Sequence, residues 1–545
     1  MTPDMRPSYD AVVIGSGFGG AITAFRLAQA GQRVAILEQG RRWAPDQFPR
    51  TVGQTGDAFW EDAARRSGFL EYRAFKNIDV IQGVGVGGGS LHYFNVGLRA
   101  PARVLARWPR PLGQGQLDPY YDLVQARLDS QPLTPPRGRA LPPRTQAFLA
   151  AARGAGATAV LANIAVHTAD GRRNRAGIAQ SPCTYCGNCM LGCQVQAKNT
   201  LDVTYIAEAE QRHGVEVFPL HRVDAIRPAH GRSGGYDVEF RVLTVDRRAT
   251  GESGTVHGTR VVVAAGTLGT TELLLRCRDR VRSLPGLGPA LGRRFSGNGD
   301  FLFAGAMGTR EPIDPAQGPS ITAVADCSTD EHEIHIEDLG YPDPMLWFLE
   351  GALPPGPGRL AAYARILLRY LARSLGGGGA NSRISDGIAG LLRGGRTNHF
   401  LPYLGMGSDA GDGQIVLRDG GAGDAIEVRW DHRRSRAMFR EMEAAMRRIS
   451  EQTGGQYVTS FLWRWPWRKL VTAHPLGGCV MSETEADGVV NHFGEVWGHP
   501  GLFVTDGASI PSALSVNPSL TIGAVAERAA SWILHGRDRR PSDPD

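Results

Sequence analysis

The first forty residues constrain this chain more than any other stretch. Tyr9-Asp10-Ala11-Val12-Val13-Ile14 is a short apolar run with β-branched residues, the pattern of a strand buried in a parallel sheet. Gly15-Ser16-Gly17-Phe18-Gly19-Gly20 follows, then a helical run from Ala21 to Ala28. After Gly31, a second strand-like run from Arg33 to Leu37 ends on Glu38. Gly15 permits a tight turn, Gly17 lets backbone approach a pyrophosphate, and Gly20 lets the helix pack closely on the strand. The helix then turns its N-terminal amides toward the phosphates. Glu38 stands 18 residues after Gly20, where a carboxylate accepts both hydroxyls of an unphosphorylated ribose. The unit predicts an α/β dinucleotide-binding fold and leaves FAD and NAD equally allowed.

Two Gly/Pro-rich loops near the other end carry the chemistry. One is Ala473-His474-Pro475-Leu476-Gly477-Gly478-Cys479, the other Val516-Asn517-Pro518-Ser519-Leu520. An imidazole takes a hydroxyl proton near neutral pH, and an amide steadies a developing carbonyl oxygen. Beside an electron-accepting ring, such a pair oxidises an alcohol.

Other segments complete the outline. Ile81 to His92 contains Gly83, Gly85 and Gly87-Gly88-Gly89, which suits backbone lying flat against a planar ligand. Arg260-Val261-Val262-Val263-Ala264-Ala265-Gly266 is another buried strand running into a glycine turn, and Leu502-Phe503-Val504-Thr505-Asp506-Gly507 is a last one. Strands returning so late imply a discontinuous nucleotide domain, with a second domain inserted between its pieces. The expected division gives 8–42, 75–105, 195–300 and 468–540 to the nucleotide domain. It gives 43–74, 106–194 and 301–467 to an α+β substrate domain.

Composition excludes some classes. The net charge of +6 comes almost entirely from arginine, with lysine only at 76, 198 and 469. That reads as a mildly basic solvated exterior and not as a nucleic-acid surface. Met1 to Ser8 lacks the sections of a secretory signal, and no apolar run reaches the length of a membrane span. Seven cysteines, four of them between 183 and 193, do not form a disulfide framework. A cytoplasmic, reducing setting is the expectation.

Taken together, these motifs resemble the glucose-methanol-choline (GMC) oxidoreductase family, most of all its cholesterol oxidase branch. The resemblance rests on Gly15 to Glu38, Gly87-Gly88-Gly89-Ser90, Ala264-Ala265-Gly266-Thr267, His474 to Cys479, and Thr505-Asp506-Gly507 with Asn517-Pro518. It implies a Rossmann-like FAD domain and selects FAD as the nucleotide. It implies that Gly15, Gly17, Phe18, Gly19, Gly20, Glu38, Gly87, Gly88, Gly89, Ser90, His92 and Asn95 contact the cofactor. The same is implied of Val223 near the adenine and of Ala265, Gly266, Asp506, Gly507, Asn517 and Pro518. It also implies that His474 and Asn517 face the flavin. His92 occupies a place where some family members link the flavin covalently; a non-covalent contact is the preferred expectation here.

The substrate region is less legible. Members of that branch add a glutamate near the flavin, and Glu350, an isolated acid in the apolar run Met345 to Ala352, is the expected residue, with Asp338 competing. The aromatic run Phe461 to Trp467 precedes His474 and is expected to line an apolar pocket. Leu360 to Arg373 is basic and amphipathic: a lid or a peripheral membrane contact, or, as the preferred expectation, a packed helix followed by a flexible connector. The expected substrate is a bulky hydrophobic alcohol such as a sterol, terpenoid or polycyclic metabolite. Oxygen or a redox partner would reoxidise the flavin.

Cys183, Cys186, Cys189 and Cys193 form C-x2-C-x2-C-x3-C, the spacing by which ferredoxins wrap an iron-sulfur cluster. Gln194 follows where ferredoxins have proline, and no second cysteine motif exists elsewhere. A cluster and a structural cysteine loop both remain open. Alternatives to alcohol oxidation are a flavin isomerase or reductase using the same pocket, and an iron-sulfur flavoprotein that mainly transfers electrons.

Overall fold

A computed structural model describes residues 5–536, apart from 62–64, 113–114, 137, 170, 230–233, 247, most of 344–397, 419–425 and 464–467. Two main sheets organise it. In the first, five strands run parallel: Glu216–Pro219, Val34–Glu38, Ser8–Ile14, Ala249–Val263 and Leu502–Val504. The antiparallel hairpin of His221–Pro228 and Tyr236–Leu243 extends this sheet from the first half of Ala249–Val263. Strand Ser8–Ile14 has neighbours on both sides that lie far from each other in sequence. Its C-terminal end is therefore the switch point at which α/β sheets open a ligand crevice.

Local sequence explains the turn made there. A Cβ on Gly20 would lie 2.0 Å from the carbonyl oxygen of Gly15, and one on Gly19 would lie 2.4 Å from that of Thr505. Helix Phe18–Gln29 thus seats against the strand and against Thr505 only with glycine at both positions. Gly15 itself has φ +97°, a conformation that other residues rarely adopt. No side chain caps the helix, so its first amides remain for a ligand. The helix packs on Ser519–His535, the last helix of the described chain.

The second sheet is antiparallel: Gln456–Thr459, Phe301–Met307, Phe400–Gly407, Ile334–Asp338, Ala323–Asp326 and Thr158–Leu161. Helices Arg436–Gln452 and Pro143–Gly154 cover it. Gly405 and Gly407 meet the Met442 and Met438 side chains of the first helix at distances a Cβ would not allow. Its other face looks toward His474 and Asn517. Among the described residues, no helix is long and apolar enough to cross a membrane.

Candidate active site

A single cavity of about 1240 Å³ runs from the Gly15 turn to the second sheet. Gly15, Gly17, Phe18, Gly19, Glu38, Gly88, Gly89, His92, Val223, Ala265, Gly266, Asp506, Gly507, Asn517 and Pro518 all border it, and so does His474. The structure therefore brings together most of the residues that sequence placed at the cofactor and the reaction. Gly20, Gly87, Ser90 and Asn95 are not among its lining. Gly20 serves packing, as above. Ser90 is spent inside the protein, where its hydroxyl donates to the Gly87 carbonyl at 2.7 Å and accepts from the Leu201 amide at 2.9 Å. Asn95 sits fully buried in a left-handed conformation with neither side-chain atom partnered.

The polar groups at the nucleotide end form a network of their own. Glu38 accepts from Ser16 N and Oγ on one oxygen, and from the amides of Gly40 and Gly85 on the other. Burial pushes its carboxyl above the ordinary range, against the pull of those bonds. Asp506 accepts from Gly266 N at 2.7 Å and Thr270 Oγ1 at 2.5 Å, and from Ala508 N at 2.9 Å. It joins the strand Leu502–Val504 to the start of helix Gly266–Asp279, and burial raises its carboxyl to about 6.

Fit to FAD can be judged from the lining. A Cβ on Gly89 or Gly266 would meet nothing within 4 Å, so both glycines present bare backbone to open space. Helices Phe18–Gln29 and Ser519–His535 both begin at the cavity with uncapped N-termini, which suits anionic groups of a dinucleotide. Phe18 and Tyr93 stand edge to face at its wall, with ring centroids 5.6 Å apart. His92 is buried and held neutral, its pKa lowered to about 3 by desolvation, then by Lys198 and His474. The residues present fit the cofactor.

At the reaction end, a short turn that the sequence reading missed holds both catalytic loops. Asp300 Oδ1 accepts from His474 Nδ1 at 2.9 Å, while its Oδ2 accepts from Thr472 Oγ1 and Ala473 N, each at 2.9 Å. With Nδ1 carrying the hydrogen, Nε2 is left as a base. Two residues earlier, Asn298 accepts from Leu514 N and Ser515 N and donates to the Val516 carbonyl, which fixes the loop leading to Asn517. Asp409 in turn ties down Ser296, Gly297 and Gly299. The signal available in sequence was Ser296-Gly297-Asn298-Gly299-Asp300, a polar turn just before a strand. Its long-range partners could not be read from spacing.

The acid beside Asn517 is Glu337. It is fully buried on strand Ile334–Asp338, and its Oε2 accepts from Asn517 Nδ2 at 3.3 Å. Its other oxygen and Asn517 Oδ1 have no protein partner. Burial drives the Glu337 carboxyl well above the ordinary range, which favours its uncharged form. Asp338 faces the opposite side, where Arg144 pairs with it at 2.9 Å and Thr322 and Ala323 donate to it. Alternation along a strand allows only one of two adjacent acids to reach the catalytic side. Glu350 and nearly all of Leu360 to Arg373 lie outside the described residues, as do Trp465 and Trp467.

The far end of the cavity is apolar, bordered by Phe94, Val96, Leu302, Phe303, Leu339, Tyr341, Leu404 and Leu462. Phe303 and Tyr341 stack with ring planes 15° apart. Such a surface accepts a bulky hydrocarbon more readily than a sugar.

The chain is similar to known proteins over nearly its whole length. Two family models, both described as GMC oxidoreductase, match residues 9–278 and 410–526. A cholesterol oxidase of Mycobacterium tuberculosis is 30% identical over 98% of the chain and 93% of its own length. A long-chain-alcohol oxidase of Arabidopsis thaliana is 24% identical over 96% of the chain and 67% of its own length. Among solved structures, pyridoxine 4-oxidase from Mesorbium loti superimposes with a TM-score of 0.64 at 16% identity, covering 96% of this chain and 99% of the other.

Proposed function

The chain belongs to the GMC oxidoreductase family of FAD-dependent enzymes, and on that premise we propose that it oxidises the hydroxyl of a bulky hydrophobic alcohol to a carbonyl. The observation that carries this reading is the convergence of His474, Asn517 and Glu337 between a dinucleotide cradle and an apolar chamber. Bound FAD would supply the acceptor for hydride from the carbinol carbon. His474 takes the hydroxyl proton at Nε2 while Asp300 holds the ring and its tautomer. Asn517 steadies the substrate oxygen. Glu337 Oε2 accepts one hydrogen of the Asn517 amide, which leaves the second N–H of that amide for the substrate oxygen, and burial favours the uncharged carboxyl there. Gly88, Gly89 and Gly266, which line the cavity, would border the flavin, and Val223 would border the adenine; Asp506 ties the strand Leu502–Val504 to helix Gly266–Asp279. The proposed division assigns the parallel sheet to a FAD domain and the antiparallel sheet to a substrate domain.

Sterols, terpenoids and long-chain alcohols share the chemistry that the apolar chamber favours, and the relatives named above include enzymes titled for the first and last. Oxygen, or a redox partner, would accept the electrons. Anaerobic mixing of the purified protein with a panel of such alcohols tests the reading. Bleaching of the flavin by an apolar alcohol, and not by glucose or choline, is the expected result; no bleaching by any alcohol would overturn it.

A further inference from the structure

The four cysteines of the 183–193 loop are unused by the reaction above, yet the loop lies against the cofactor cavity. Met190, next to Cys189, borders that cavity. Lys198 is buried, and its ammonium donates to the Cys189 carbonyl at 2.9 Å and to the Leu91 carbonyl at 3.0 Å. One cation thereby joins the cysteine loop to the glycine loop that flanks the cavity. A second cation, Arg50, donates to the carbonyls of Leu191 and Gly192. Neither makes an ion pair with a carboxylate among the described residues; Asp202 acts on Lys198 only at longer range.

All four cysteines are free, and they lie near enough to act on one another electrostatically. Backbone amides point at two of the sulfurs: Tyr185 N donates to Cys183 at 3.4 Å, and Val195 and Lys198 donate to Cys193. Two cations fixed to the loop carbonyls, with amides aimed at sulfur, would offset the charge of thiolate ligands, against the burial that pushes the Cys183 and Cys193 thiols up. The sulfurs are also not drawn together as one ion would hold them. No three of them lie within 4.8 Å of one another. A single zinc holds thiolates at about 2.3 Å and would draw them inside that span. A cluster, with several irons and sulfides between the thiolates, needs them farther apart.

We propose that Cys183, Cys186, Cys189 and Cys193 hold one iron-sulfur cluster on the flank of the FAD cavity, as the outlet for electrons from the reduced cofactor. The site itself stands on the cysteine loop; the electron route rests on the proposed alcohol oxidation. Each alcohol oxidised leaves two electrons on the cofactor. The cluster takes them singly and passes each to a one-electron acceptor outside, while the protons go to water. Cys186 is exposed, which places one edge of the centre at the surface.

The test is anaerobic purification followed by iron, acid-labile sulfide and FAD assays, with electron paramagnetic resonance after dithionite reduction. The expected result is iron and sulfide in equal amounts, a reduced-cluster signal, and at least a tenfold loss of both elements in Cys189→Ser with FAD retained. Cys186→Ser, at the surface, serves where Cys189→Ser fails to fold. It is also expected to slow reoxidation by ferricyanide at least tenfold relative to flavin reduction by alcohol. Zinc in place of iron would overturn the proposal, as would protein that takes up no sulfide on anaerobic reconstitution. Full iron in both variants, or unaltered ferricyanide reoxidation, would do the same. A cluster present in protein that no alcohol bleaches would sink the alcohol reading instead.

Discussion

Replacing Asp300 with Asn exchanges one carboxylate oxygen for an amide nitrogen at the point where His474 is held. The carboxylate accepts three hydrogen bonds: His474 on one oxygen, Thr472 and Ala473 on the other. Asn offers a single oxygen, so it has two ways to sit. With its oxygen toward Thr472 and Ala473, its NH2 faces His474 Nδ1 and forces the hydrogen onto Nε2, which abolishes the base. With its oxygen toward His474, the NH2 meets two donors, and leaving them unsatisfied costs about 1–3 kcal/mol each. The first arrangement strands fewer donors and should prevail. Loss of a positioned general base costs about 10²–10⁴-fold. Asp300→Asn should therefore slow flavin reduction by at least about 10²-fold in anaerobic stopped flow. FAD content should remain at wild-type level, because Asp300 does not border the cavity. A variant that keeps its FAD and reduces it within twofold of the wild-type rate would refute the assignment of Asp300 and the tautomer argument with it.

Glu337→Gln should retain activity within about tenfold, since its amide oxygen still accepts from Asn517 Nδ2, whereas Glu337→Leu, which cannot accept, should lose about 10²-fold; a steady-state comparison in which Gln is as damaged as Leu would show that the carboxyl itself is required. Gly20→Ala should prevent accumulation of folded protein, given the 2.0 Å approach to Gly15, and soluble variant with bound FAD would contradict the packing described. Asp506 keeps its proton when folded up to about pH 6, against an ordinary value of 3.8. The unfolded chain releases that proton from about pH 4, so stability present below pH 4 is lost as pH rises through 6, by about 3 kcal/mol. In urea unfolding of flavin-depleted protein, Asp506→Asn should lack that loss, and a wild-type-to-variant difference constant from pH 4 to pH 7 would contradict it. Acid precipitation should release all the flavin into solution if His92 makes no covalent link, which a yellow pellet would disprove.

How much was legible in the sequence follows the range of each interaction. The Gly15–Glu38 unit could be read because its partners are neighbours: turn, helix and strand are contiguous, and each glycine's clash is local. His474 and Asn517 stood out because Gly/Pro-rich loops seldom carry such side chains without reason. What holds them was hidden. Asp300 and Asn298 act across 174 and 216 residues, and nothing in the spacing of a polar turn reveals such partners. Glu350, the acid expected near the flavin, lies outside the described residues, and Glu337 was not weighed beside its neighbour Asp338. Alternation would have separated it from Asp338, had the direction of each face been known. Ser90, which the family resemblance implies at the cofactor, has its hydroxyl engaged with Gly87 and Leu201.

The central claim is that His474 and Asn517 serve removal of hydride and proton from an apolar alcohol. Anaerobic single-turnover reduction of the bound flavin, with the protiated alcohol and with its carbinol carbon deuterated, tests it most directly. The account predicts bleaching that deuterium slows and that His474→Ala suppresses by about 10²–10⁴-fold with FAD still bound. Bleaching at the wild-type rate in His474→Ala, or none from any apolar alcohol in the wild type, would contradict it.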